Sequence, residues 1–202
     1  MKRSNLVRDE NGWETISTQT HFADKHLEVV TDVVRTPTRQ KSWTIVHRKP
    51  AVIIAAMTHD NKFLLVQQER VPIRSAIWEM PAGQIDDIAE PSDEEIAATA
   101  LRELREETGY ELSGDSELVS LGYYFSSPGF TDEHGYFFLA RPVAPVATNS
   151  HDDETESILD CRAFSPAELS RMIADGEIRD ANTLGICARL AARGFLELNI
   201  RH

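Results

Sequence analysis

The chain has 202 residues, enough for one sizeable hydrophobic core with a small appended element, and 41% hydrophobic and 27% charged residues are ordinary for a globular protein in water. Twenty-one Lys and Arg against 33 Asp and Glu leave a net charge of −12, which disfavours a broad electrostatic grip on nucleic acid or on an anionic membrane surface. An anionic small molecule would have to be met by a metal ion and a few placed arginines.

The first residues, MKRSNLVRDENGWE, put Lys2 and Arg3 ahead of no apolar stretch, so neither a signal peptide nor an anchor is expected, and no run approaches membrane-spanning length. Alternation predicts strands at Trp13-Glu14-Thr15-Ile16, at Leu27–Val34 and at Trp43–His47, with Pro37 breaking the run. Three antiparallel strands form a small sheet that can hardly bury both faces alone, so residues 1–48 are read as an N-terminal β-sheet region and 49–202 as the main domain. AVIIAAM from Ala51 has the continuous apolar character of a strand covered on both sides. His59-Asp60-Asn61-Lys62 turns the chain into Phe63–Gln68, a hairpin, and Ile77–Met80 is a short strand leading into a glycine loop.

Ser92 and Glu95 have the spacing of a reciprocal capping box, Pro91 discourages an earlier start, and Gly109 supplies a left-handed terminator. They predict a helix of about four turns from near Asp93, with Ile96, Ala97, Ala100, Leu101 and Leu104 on its buried face. Glu103, Glu106 and Glu107 lie at i, i+3 and i+4, so their carboxylates gather at the margin of that face. Mutual repulsion costs the helix a few tenths of a kcal/mol per pair unless a cation offsets it. Two readings are open on the helix alone: a solvated acidic face bridged to Arg102 and Arg105, or a site for Mg²⁺ or Mn²⁺, which favour hard oxygen ligands.

Beyond the helix, strands are predicted at Leu118–Tyr124 and Tyr136–Ala140 around the Pro-Gly loop Ser126–Glu133, with a linker-like turn over Pro142–Asn149. His151–Ser157 reads as an acidic loop, followed by a strand through Phe164. Ser165 and Glu168 form a second capping box for a helix that Gly176 ends. A last helix spans about Asp180 to Arg193, with Leu184, Ala188 and Ala191/Ala192 inward. Cys161 and Cys187 fall in a strand and a helix, no disulfide framework, as suits a reduced cytoplasmic protein.

Gly83, Glu94 and Arg102-Glu103-Leu104-Arg105-Glu106-Glu107-Thr108-Gly109-Tyr110 together resemble the Nudix box, GX5EX7REUXEEXGU. One departure is a five-residue insertion within QIDDIAEPSD, which leaves the helix register from Glu94 onward intact. WEMPAG, SPGFTDE and GEIRDANTL resemble the ADP-ribose pyrophosphatase branch over most of residues 13–194. The resemblance implies an α/β fold, a Nudix-type α/β/α sandwich with a mixed sheet and a small N-terminal antiparallel sheet.

It further implies hydrolysis of ADP-ribose to AMP and ribose 5-phosphate with two or more Mg²⁺ (or Mn²⁺). The implied metal ligands are the Ala82 carbonyl, Glu103, Glu107 and Glu156, with Glu106 close by and Glu154 as the base that takes a proton from water. Implied substrate contacts are Arg48, Arg70, Gln84, Ser127, Pro128, Gly129 and Glu133, with Trp43 or Phe22 stacking on adenine across a two-fold homodimer. The alternatives are another nucleotide sugar, such as GDP-mannose or ADP-glucose, and a nucleotide sensor that does not cleave. No nucleic-acid or membrane partner is expected.

Overall fold

The computed structural model describes residues 6–85, 90–146 and 157–198. Their contacts divide them into two compact units, one within Met1–Ala51, Gln84–Ser92 and Tyr123–Gly135, the other within Val52–Gly83, Asp93–Gly122 and Tyr136–His202.

The first unit holds β1 (Glu14–Ala23), β2 (Leu27–Arg35) and β3 (Gln40–Arg48) as an antiparallel sheet in that order. The three expected strands are present and longer than alternation alone marks. Pro37 lies in the turn between β2 and β3, closed by the Thr36 amide donating to the Arg39 carbonyl at 2.8 Å. β2 is the inner strand and buries Val30 and Asp32, the latter accepting the Thr18 hydroxyl at 2.6 Å. On β1, by contrast, almost every residue is exposed, Ile16 and Phe22 among them.

The larger sheet has seven strands and is mixed. β4 (Ala51–Thr58) and β5 (Phe63–Arg70) are its centre, and the order runs β10 (Ile158–Phe164), β5, β4, β9 (His134–Pro145), β8 (Tyr110–Phe125). β6 (Ser75–Glu79) pairs with β5, and β7 (Ala82–Gln84) with β4. The apolar run of β4 explains its place, since Val52 to Ala56 are all at 0% exposure, as are Phe63 and Leu65 opposite. The hairpin between them closes on Asp60, which accepts from the Thr58 hydroxyl at 2.6 Å and pairs with Lys62 at 2.7 Å. Those two bonds, that to Lys62 foremost, hold the Asp60 carboxyl down to about 2. The linker-like turn expected over 142–149 is not seen where the chain is described: β9 continues to Pro145 because Val143 keeps pointing into the core.

Three helices complete the described residues: α1 (Asp93–Thr108), α2 (Pro166–Ala174) and α3 (Ala181–Ala192). α2 has its capping box, with the Ser165 hydroxyl accepting the Glu168 amide and Glu168 accepting the Ser165 amide. Two inward faces differ from the sequence reading. On α1 the buried residues are Ile96, Ala100, Glu103, Leu104, Glu107 and Thr108, while Leu101 is exposed. On α3 they are Thr183, Ile186, Cys187 and Leu190, while Leu184, Ala188 and Ala192 face outward. In each case polar side chains take part of the inward face to reach the backbone: Thr183 meets the Met80 amide, and the α1 glutamates meet the chain at Ala82 and Gly83.

Candidate active site

The α1 glutamates are held by the short segment Met80–Gly83, which α3 fixes from its own N-terminus. Asp180 caps α3 by accepting the Thr183 amide at 2.7 Å and the Thr183 hydroxyl at 2.8 Å, and the same hydroxyl accepts the Met80 amide at 2.9 Å. Thr183 is at 0% exposure. One residue further along the chain, the Ile54 amide of β4 donates to the Pro81 carbonyl at 2.8 Å. Met80 to Gly83 is thus pinned on two sides, which gives the Ala82 carbonyl and the Gly83 backbone fixed positions.

Against this segment lie two buried carboxylates. Glu107 accepts the Ala82 amide at 2.8 Å and is 5% exposed. Glu103, 8% exposed, sits so close to Gly83 that a Cβ added there would fall inside its carboxylate. Glycine is required at position 83 for this close approach. The acidic helix is therefore not a solvated face: of Glu103, Glu106 and Glu107, two are sequestered. Withdrawing a carboxylate from water costs several kcal/mol, which partners inside the fold must offset. A helix selected for stability alone would carry apolar side chains at 103 and 107.

Arg102 supplies the adjoining positive charge. Its guanidinium donates to Glu103 at 2.7 Å and to the half-buried Glu106 at 2.5 Å, so it bridges the two. Among the described residues no three His, Cys, Asp or Glu side chains converge as a ready-made metal centre. The donor set nevertheless suits a hard divalent cation: the cradle at Gly83 leaves the Glu103 carboxylate against bare backbone, and every group offered is an oxygen. Burial, with the charges of Asp160 and Glu107, pushes the Cys161 thiol up to about 11. Both cysteines are free.

Arg70, the expected diphosphate contact, lies in the same unit and is clamped by Glu79. Its Nε donates to both Glu79 oxygens at 3.0 and 3.2 Å, and Nη2 donates to one of them at 2.5 Å. Glu79 is buried while 42% of the Arg70 side chain stays exposed, so the charge is aimed by a fixed base. The tryptophan-glutamate pair of WEMPAG offered the only sequence signal for this role. Asp180 was marked only as the start of the last helix, and Thr183, inside GEIRDANTL, carried no signal beyond the motif.

In the other unit, the loop Ser126–Glu133 is tied to β3. Ser127, Pro128 and Gly129 are exposed, and Gln84 is half-buried. Trp43 donates its indole N–H to the Gly129 carbonyl at 2.9 Å yet keeps 51% exposure. Arg48 pairs with Glu133 at 2.8 Å, so these two expected substrate contacts meet each other, and the Ser126 hydroxyl donates to the second Glu133 oxygen at 2.7 Å. Glu154 and Glu156, the expected base and ligand, lie outside the described residues.

The NUDIX domain model matches residues 47–184. The chain is 33% identical over 172 residues to a methanol dehydrogenase activator of Bacillus methanolicus, covering 85% of this chain and 88% of that one. It is 30% identical over 171 residues to an ADP-ribose pyrophosphatase of Bacillus subtilis (84% and 88% covered), and 33% identical over 188 residues to one of Mycobacterium tuberculosis (90% and 84%). In fold it is similar to an ADP compounds hydrolase of known crystal structure, with a TM-score of 0.71 at 17% identity, covering 94% of this chain and all of that one.

Proposed function

The chain belongs to the NUDIX domain family of hydrolases, and from that premise we propose that it cleaves the diphosphate of ADP-ribose with water to give AMP and ribose 5-phosphate. The observation that carries this reading is the burial of Glu103 and Glu107 against the Ala82–Gly83 backbone, an arrangement that has no use in a helix meant only to pack. The substrate is supported by the two relatives named as ADP-ribose pyrophosphatases, each matched over most of its length.

The Ala82 carbonyl, Glu103 and Glu107 would hold Mg²⁺, or Mn²⁺, with Glu106 beside them and Glu156 completing a set for two or more ions. Bound there, such cations neutralise diphosphate charge and lower the pKa of a water molecule. Arg70, aimed by Glu79, binds the diphosphate and orients it. Glu154 takes the proton from the attacking water, a role that needs an ionised carboxylate within hydrogen-bond reach. Arg48, Gln84, Ser127, Pro128, Gly129 and Glu133 contact the sugar and phosphate, and the exposed ring of Trp43 offers a flat surface for adenine.

A homodimer belongs to the proposal as well. It is supported by β1, an edge strand of the small sheet that leaves the apolar side chains of Ile16 and Phe22 exposed. The two free thiols accord with a cytoplasmic setting, and among the described residues no helix is long and apolar enough to cross a membrane.

A nucleotide-sugar panel with Mg²⁺ tests the substrate. The expected ranking by kcat/KM puts ADP-ribose first, ahead of ADP-glucose and GDP-mannose. A higher value for either competitor transfers the reaction to that sugar. ADP-ribose bound tightly and recovered intact after hours would make the protein a sensor.

A further inference from the structure

The loop Ser126–Glu133 contains a Pro-Gly pair and no regular strand, yet from Gly129 onward each residue is tied to β3 some 85 positions earlier. The Trp43 indole donates to the Gly129 carbonyl, the Val46 amide to the Phe130 carbonyl at 2.8 Å, and the Thr131 hydroxyl to the Val46 carbonyl at 2.6 Å. The Asp132 side chain then bonds β3 at two points. One oxygen accepts the His47 Nδ1 proton at 2.8 Å and the other the Arg48 amide at 3.3 Å. Glu133 follows, on Arg48 and Ser126.

Among these ties the His47–Asp132 pair stands apart by burial. Both side chains are 6% exposed, whereas Trp43 is half exposed and Arg48 keeps 40% of its side chain in water. Charge-assisted bonds out of water are the ones whose loss a structure feels most.

We infer that Asp132 is a positioning residue for substrate recognition: shared between the His47 imidazole and the Arg48 amide, it fixes Arg48, Glu133 and Gly129 in the arrangement that the ligand's sugar hydroxyls and phosphate meet. Without it the loop would have to be ordered by the ligand itself, at an entropic cost that appears in binding and not in the chemical step. The inference rests on the hydrolase reading proposed above.

The test is steady-state hydrolysis of ADP-ribose by the full chain carrying Asp132→Asn, His47→Gln or both, alongside thermal unfolding. Asparagine keeps the shape and removes the charge. Each single variant is expected to raise KM about tenfold, the effect typical of a supporting hydrogen-bond partner, with kcat within about twofold. The double variant should have a KM no more than about twofold above the worse single, because the two act as one unit. A folded Asp132→Asn protein with wild-type KM, or one whose only change is a lower Tm, overturns the inference and leaves the hydrolase reading standing. So do effects that multiply in the double variant. Should Asp132→Asn fail to fold, His47→Gln decides by the same KM criterion. Wild-type protein inactive on every nucleotide sugar sinks the hydrolase reading and the inference together.

Discussion

One methyl group is enough to test the centre of the account. Gly83→Ala would place its Cβ inside the Glu103 carboxylate, so either that side chain or the Ala82–Gly83 backbone must move. Activity should fall about 10–100-fold or more while the far-ultraviolet circular dichroism stays that of the parent. Glu107→Gln acts differently, since the amide oxygen can still accept the Ala82 N–H while the charge is lost. It should reduce hydrolysis at least as severely, yet leave Tm in EDTA unchanged or raised, because a desolvated carboxylate has been removed. A matching drop in Tm would show that Glu107 is there for stability. Residues such as these three glutamates were legible in the sequence through their spacing on one helix. Thr183 and the His47–Asp132 pair were not, because their partners lie 103 and 85 positions away and nothing local marks either bond.

At the scale of elements, caps and terminators were the most readable features. The Ser165–Glu168 box starts α2, and the last helix begins where Asp180 can cap it. Ser165→Ala should destabilise the protein by about 1 kcal/mol, seen as a Tm lower by about 2–4 °C at this chain length. The Ser165 hydroxyl and amide hold the Glu168 carboxyl below its ordinary value of 4.5. A pKa lowered by folding contributes stability above that ordinary value and loses it as pH falls through the folded-state value. The gap in Tm between parent and variant should therefore narrow on acidification, and a gap that widened would contradict the assignment. What misled the reading of α1 and α3 was hydropathy: Leu101 and Leu184 were placed inward, whereas buried Glu103, Glu107 and Thr183 take those faces to reach backbone amides or lie against bare backbone. A helix face chosen by polar partners cannot be found from the periodicity of apolar residues.

For the whole molecule, the α/β class and the small antiparallel sheet followed from the order of strand and helix patterns. Tyr123–Gly135 groups with the N-terminal strands from far along the chain, which no local pattern marks. With a net charge of −12, the protein has little general attraction for an anionic substrate, so binding should depend on local cation sites and rise with free Mg²⁺. Sedimentation should give a mass twice the 22.7 kDa chain, and charged residues at Ile16 and Phe22 should shift it to the single value. The central claim is that the sequestered glutamates of α1 serve metal-assisted cleavage of a diphosphate. It is tested most directly by incubating ADP-ribose with the protein in ¹⁸O-water, with Mg²⁺ or with EDTA, and following the products. The account predicts equimolar AMP and ribose 5-phosphate, one of them carrying a single ¹⁸O on its phosphate, with Mg²⁺ and neither with EDTA. ADP-ribose left intact in the presence of Mg²⁺, or cleaved equally well in EDTA, would contradict it.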